Sequence, residues 1–155
     1  KYTNWLSSSF DIYVKNSRNL GNPIAWDQGV ATASNDIVIL MDNDCWPENK
    51  GWDKALAYKL HEDNVGVSFA FSRRGNETKY KGRRDGFCFA ITKDTYYSAG
   101  PFLDDQPFEL GYFEDDNFFA KVQYDMNMKL CAMELSCRNY QRYEQSVAAK
   151  MFHRC

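Results

Sequence analysis

The sequence has 155 residues, of which 44% are hydrophobic, 16% aromatic and 26% charged, values that favour one soluble globular domain and exclude a disordered chain. Its 19 basic and 21 acidic side chains give a net charge of -2, so no overall positive field would attract nucleic acid or an anionic membrane.

The first two predicted elements are a short strand and a helix. Residues 10–14 alternate as a half-buried strand does, and the Asn, Ser, Gly and Pro residues that follow end the pattern. A helix is predicted over residues 24–33, because Pro23 suits a first turn and the small residues that follow allow close packing.

An apolar run over residues 36–41 predicts the next strand. Because this run is apolar on both faces and follows a helix, we expect a central strand of a parallel or mixed sheet that is covered on both sides. The run ends in Asp42, Asn43 and Asp44. Two carboxylates would therefore lie at the carboxyl end of a buried strand, the edge at which open α/β sheets bind ligands.

The remaining elements complete an α/β pattern. Periodicity predicts a helix over 47–61, strands over 65–71 and 86–92, one or two helical turns over 93–100, a helix over 114–127 and a last strand over 130–135. A basic stretch over 73–84 and an irregular acidic loop over 101–111 separate them. The basic stretch is either a solvated loop or a surface that faces phosphates. The order of elements indicates an α/β fold built on one mixed sheet.

The cysteines bear on the compartment. There are five, at positions 45, 88, 131, 137 and 155, and no two form a C-x-x-C pair. This odd number and spacing argue against a zinc ribbon and against a fully paired set of disulfides, which favours a reducing compartment. No apolar run approaches the length of a membrane span. We therefore expect a cytoplasmic protein without a transmembrane segment.

The pair Asp42 and Asp44 favours a metal site. Carboxylates at the end of a buried strand repel each other and lose hydration, a cost that a divalent cation would offset. Oxygen ligands suit hard ions, so Mg²⁺ or Mn²⁺ is the natural partner, with a bound diphosphate completing the shell. The alternative is that both aspartates stabilise a turn or cap a helix, as Asp often does.

A second acidic cluster, Glu114, Asp115 and Asp116, opens the helix predicted over 114–127. Acidic side chains are favourable at a helix N-terminus, which accounts for part of the cluster. A carboxylate near a metal-bound diphosphate can also take the proton from an attacking hydroxyl, provided that it comes within hydrogen-bonding reach.

With both clusters in view, the sequence resembles the inverting glycosyltransferases of the GT-A type, and family 2 in particular. The stretch NSRNLGNPIAWDQGVATASNDIVILMDND resembles the family's N-x-x-N-x-G motif, its small-residue helix and its D-x-D strand. The stretch GFCFAITKDTYYSAGPFLDDQPFELGYFEDDNFFAKV resembles its acceptor-side strand, its glycine-containing loop and its E-D helix. The resemblance covers about residues 10–122.

On the donor side, the resemblance implies the following roles. Asp44 would bind Mn²⁺ or Mg²⁺, and Asp42 would contact the ribose of the nucleotide or assist the metal through water. Arg18 and Asn19 occupy the positions at which such enzymes contact the nucleotide base. His153 would complete the metal site, as a late histidine does in several GT-A enzymes; the alternative is a structural or exposed histidine.

On the acceptor side, the resemblance implies that Asp115 is the catalytic base and that Glu114 holds the acceptor. Gly86 opens the acceptor-side strand and would also lie against the acceptor. The expected partners are a nucleoside-diphosphate sugar as donor and a glycan, lipid or protein as acceptor. The implied reaction moves the sugar to an acceptor hydroxyl with inversion of the anomeric configuration.

The resemblance also implies the fold. We expect a single Rossmann-like GT-A domain over residues 1–155, with a mixed, mostly parallel central sheet flanked by helices. The nucleotide and metal half would span about residues 1–72 and the acceptor and base half about residues 73–155. Family members normally begin with an apolar strand that builds the floor of the nucleotide site, and we expect that strand to precede residue 1.

Two alternative functions fit the same sequence. A nucleotidyltransferase on a related sheet would use the basic stretch over 73–84 to bind a triphosphate, and it would release pyrophosphate instead of a nucleoside diphosphate. A sugar-binding module without turnover would use aromatic side chains, which stack on sugar rings, although most of the aromatics here have core-like spacing.

Overall fold

The computed structural model of the protein describes residues 11–42, 45–71, 86–102, 114–134 and 137–139. The helices in this part of the chain are α1 (Gly21–Thr32), α2 (Trp52–Lys59), α3 (Lys93–Ala99) and α4 (Glu114–Ala120), the last of which continues as a π-helical turn over Lys121–Asp125. The strands are β1 (Ile37–Met41), β2 (Cys45–Pro47), β3 (Val65–Phe71), β4 (Cys88–Thr92), β5 (Lys129–Glu134) and β6 (Cys137–Asn139).

Four of these strands form one sheet in the order β1-β4-β3-β5. β4 is antiparallel to both of its neighbours, whereas β3 and β5 are parallel. Strands β1, β3 and β5 therefore run in one direction and β4 in the other, which confirms the prediction of a mixed sheet. β2 and β6 pair separately as an antiparallel ribbon.

Both faces of the sheet are covered. Successive side chains of a strand point to opposite faces, so each strand contributes to both cores. One face carries a core that is rich in aromatic side chains from α1, α3, α4 and the strands. The other face packs against α2 through Leu56 and Leu60, which meet the small side chains Cys88 and Ala90 of β4. Helices therefore flank the sheet, as predicted. Within the described ranges, no helix is long and apolar enough to cross a membrane.

Several predicted elements differ at their ends. α1 begins at Gly21, three positions before the predicted start, and Pro23 lies in its first turn as expected. The helix predicted over 47–61 begins only at Trp52, because Pro47 belongs to β2 and Gly51 precedes the helix in a left-handed conformation with φ 78°. The bounds of β3 are those predicted.

One prediction about a strand, the one over residues 10–14, is corrected. Residues 11–14 form no strand, and Ile12, Tyr13 and Val14 are exposed. The sequence does alternate here, but a strand also needs a neighbouring strand to pair with. None of the described strands pairs with this segment. Within the described ranges β1 pairs with β4 on one side, and Met41 at its end is 43% exposed.

Candidate active site

The end of β1 and the start of β4 meet at one end of the sheet. Antiparallel pairing places Met41, the last residue of β1, opposite Cys88, the first residue of β4. One step beyond this pair, the main-chain N–H of Asp42 donates a hydrogen bond of 2.8 Å to the carbonyl oxygen of Phe87. The first acidic cluster is therefore fixed against the residue that precedes β4.

The second acidic cluster reaches the neighbouring residue. The main-chain N–H of Gly86 donates a hydrogen bond of 2.8 Å to Oδ2 of Asp115. The contact is so close that a Cβ on Gly86 would lie 2.7 Å from Cγ of Asp115, and nearer still to its Cβ and Oδ2. No side chain fits at position 86 unless Asp115 moves.

Together these two contacts bring Asp42 and Asp115 to the same end of the sheet. Phe87 bonds to the main chain of Asp42, and the adjacent Gly86 bonds to the side chain of Asp115. Asp44 lies outside the described residues. The convergence of the two acidic clusters is therefore seen for Asp42 and Asp115.

The surroundings of Asp115 change its protonation. Burial of the half-buried carboxyl raises its pKa above the usual value for Asp, and the negative charges of Asp116 and Glu114 raise it further. The N–H groups of Asp116 and Gly86 act in the opposite direction without cancelling the rise. This carboxylate therefore accepts a proton more readily than an ordinary aspartate does, which suits a general base.

The other two members of the cluster face different surroundings. Glu114 is only 6% exposed although it is the first residue of α4, whereas Asp116 is exposed. The three adjacent carboxylates are thus buried, half-buried and exposed in turn.

The segment before α1 turns back along the helix, because the side-chain amides of Asn16 and Gln28 exchange hydrogen bonds of 2.9 and 3.2 Å. Arg18 in this segment is exposed, and Oδ1 of Asn19 accepts a hydrogen bond of 2.9 Å from the N–H of Gly21. Asn19 thus also shapes the start of the helix.

A buttress that the sequence did not predict connects α1 to the second cluster. Oδ1 of Asp27 accepts hydrogen bonds from the hydroxyl of Tyr96 at 2.7 Å and from the N–H of Phe102 at 3.0 Å. The ring of Phe102 packs on Phe118 of α4, with their centroids 4.5 Å apart. One signal was present in the sequence: Asp27 is the only charged residue in α1.

The described residues include only part of the predicted metal site. Within the ranges that the structure describes, no group of three or more His, Cys, Asp and Glu side chains could hold a metal ion. Asp42 provides an oxygen ligand of the type that Mg²⁺ and Mn²⁺ prefer. Its expected partners Asp44 and His153, like the basic stretch over 73–84, lie outside the described residues. The metal site therefore remains a prediction.

Three of the five cysteines lie in the described part of the chain with their side chains. Cys45, Cys88 and Cys131 carry thiols and form no disulfide. All three pack in the core between the sheet and α2. Their role in this part of the chain is apolar packing.

Comparison with known proteins agrees with this geometry. The family model described as Glycosyl transferase family 2 matches residues 7–124. The matched range contains both acidic clusters, Gly86 and the Asp27 buttress. No curated protein and no solved structure matches the chain.

Proposed function

Because the chain belongs to glycosyl transferase family 2, we propose that it moves a sugar from a nucleoside-diphosphate sugar to an acceptor hydroxyl with inversion of the anomeric configuration. Membership of the family implies glycosyl transfer with a nucleotide-sugar donor and an acceptor. One observation supports the proposed mechanism. At one end of the sheet, Asp42 and Asp115 form hydrogen bonds with two adjacent residues, Phe87 and Gly86.

In the proposed reaction, Asp115 is the general base. Its carboxylate takes the proton of the acceptor hydroxyl while the oxygen attacks the anomeric carbon. A new carbon–oxygen bond forms as the bond to the phosphate breaks, and the nucleoside diphosphate leaves with the electron pair. Attack from the face opposite the leaving group inverts the anomeric carbon. The raised pKa of the half-buried carboxyl supports this assignment.

The donor would bind on the other side of the same sheet end. Asp42 and Asp44, with His153, would hold Mn²⁺ or Mg²⁺, which would neutralise the charge that develops on the leaving diphosphate. Arg18 and Asn19 would contact the nucleotide base from the segment before α1. Each of these roles follows from the family resemblance.

The acceptor would approach from the side of Gly86 and α4. Glu114 would hold it, and Gly86 would lie against it. A glycan, a lipid or a protein could provide the hydroxyl, since a few loop side chains set the choice of acceptor on a shared scaffold.

The test of this proposal is the substitution Asp115→Asn, which keeps the size of the side chain and removes the base. We expect turnover to fall by about 10²- to 10⁴-fold while donor binding stays intact. Nucleoside diphosphate release is measured from UDP-, GDP- and dTDP-sugars with Mn²⁺, with donor binding followed by thermal shift.

The matched control is Asp116→Asn, which removes the same charge from an exposed neighbour. This variant should turn over at nearly the wild-type rate. Full turnover by Asp115→Asn would refute the assignment of the base, and release of pyrophosphate from a nucleoside triphosphate would favour nucleotidyl transfer instead.

A further inference from the structure

We infer that Gly86 is a positioning residue for Asp115: its N–H holds the carboxylate, and its lack of a side chain leaves the space that the carboxylate occupies. This inference rests on the proposed function of Asp115 as the base. It gives Gly86 a role beyond contact with the acceptor, because it acts on the reaction through another residue.

The backbone at Gly86 shows that space, and not conformation, requires glycine there. The described glycines with positive φ are Gly21, Gly51 and Gly100, so Gly86 adopts a conformation that other residues also adopt. Any other residue would place its Cβ in the volume that the side chain of Asp115 occupies. Gly86 is also buried, and its N–H is already bonded to Oδ2 of Asp115.

Packing on both sides of this contact limits how far it can relax. Gly86 lies two residues before β4. That strand pairs with β1 on one side and β3 on the other, and its Cys88 and Phe89 are fully buried. α4 is held through Phe119, which meets Phe89 edge-to-face at 5.2 Å. Since packing holds β4 and α4 on both sides of the contact, we expect an added methyl group at position 86 to displace the side chain of Asp115.

The main test is a double-mutant cycle between Gly86→Ala and Asp115→Asn. A displacement of about 1 Å at a reacting group can cost about 10²-fold in rate, so we expect Gly86→Ala alone to lower kcat by that order. The donor KM should not change. In the Asp115→Asn background, which has already lost the base, Gly86→Ala should cause no further loss.

The pH profile gives a second readout that a purely structural role would not move. The Gly86 N–H lowers the pKa of Asp115, against the raising effects of burial, Asp116 and Glu114. Loss of this hydrogen bond in Gly86→Ala should therefore shift the acid limb of the kcat profile to higher pH. An unchanged acid limb would contradict the inference.

Gly66→Ala is the matched control. A Cβ at Gly66 would lie 3.1 Å from Cβ of Met128 and would also crowd Val122, so the variant should lose stability to a comparable overlap away from Asp115. We expect a lower Tm with an unshifted acid limb. A shift of the limb in Gly66→Ala as well would mean that lost stability alone produces it, which would overturn the inference.

Stability gives a readout even where Gly86→Ala is inactive or folds poorly. Asp115→Gly removes the atoms that the new Cβ would meet, so Gly86→Ala should lower Tm less in that background than in the wild type. An equal loss of Tm in both backgrounds would overturn the inference. So would additive losses of kcat in the cycle with Asp115→Asn. Full turnover by Asp115→Asn alone would instead refute the proposed base, whatever the cycles give.

Discussion

At the scale of single residues, the site depends on where one carboxylate lies. Asp115 belongs to a run of three acidic side chains that the sequence presents as equivalent, yet Glu114 is buried, Asp115 half-buried and Asp116 exposed. The sequence predicted Asp115 as the base by family resemblance alone. It could not predict the contact with Gly86, because residues far apart in the chain meet only once the register of β4 and the packing of α4 are set.

The raised pKa of Asp115 predicts how its contribution to stability changes with pH. A carboxyl with a higher pKa in the folded state favours folding below its unfolded value of about 3.9, and this contribution is lost as the pH rises through the folded value. Asn does not titrate. The Tm of Asp115→Asn relative to wild type should therefore increase as the pH rises from about 4 to 7.

The measurement is thermal unfolding of wild type, Asp115→Asn and Asp116→Asn across that pH range. Asp116→Asn, which removes a charge from an exposed side chain, should show a smaller change in relative Tm than Asp115→Asn. A relative Tm of Asp115→Asn that is flat with pH, or that falls as the pH rises, would contradict the burial of this carboxylate.

At the scale of elements, long apolar runs were predicted well and short pairings were not. β3 was found at its predicted bounds because its residues are buried on both faces and hydrophobic content alone marks them. The three-residue strands β2 and β6 have no periodicity of their own and form by pairing with each other. The strand predicted over residues 10–14 shows the opposite case. Its sequence alternates, but residues 11–14 form no strand, because alternation alone does not provide a strand to pair with.

The buttress at Asp27 is testable at this scale. Tyr96→Phe removes the hydroxyl that donates to Asp27 and keeps the ring, which is only 8% exposed. A hydrogen bond to a charged group contributes about 1.5–3 kcal/mol to stability, and Asp27 keeps the N–H of Phe102, so we expect a loss of about 1–2 kcal/mol.

Urea unfolding measures this loss, and Tyr97→Phe is the control. Tyr97 is the next residue in α3 and is 65% exposed, so loss of its hydroxyl should change stability by less than about 0.5 kcal/mol. If the two variants lost the same stability, the hydrogen bond between Tyr96 and Asp27 would not support the packing of Phe102 on Phe118.

At the scale of the whole molecule, the order of strands explains why distant acidic residues meet. Asp42 follows a strand, and Gly86 precedes the antiparallel strand beside it, so both lie at one end of the sheet. The sequence predicted that Asp42 lies at the carboxyl end of a strand, where α/β sheets place their sites, but not the antiparallel pairing that brings Gly86 beside it. It could not place α4, whose position depends on aromatic packing against Phe89 and Phe102.

In the proposed function the two acidic clusters have separate roles: one binds the donor and the other accepts the proton. The most direct measurement compares Asp42→Asn, Asp44→Asn and Asp115→Asn for both donor binding and turnover, with the exposed Asp53→Asn of α2 as control. UDP, GDP and dTDP are tested with Mn²⁺ and with EDTA, and a nucleotide at about 100 times its Kd should stabilise the folded state by about 2.7 kcal/mol.

We predict that EDTA, Asp42→Asn and Asp44→Asn abolish this stabilisation together with turnover, whereas Asp115→Asn keeps the stabilisation and loses turnover. Asp53→Asn should keep both. Metal-dependent nucleotide binding that survives in both Asp42→Asn and Asp44→Asn, or turnover that survives in Asp115→Asn, would contradict the account.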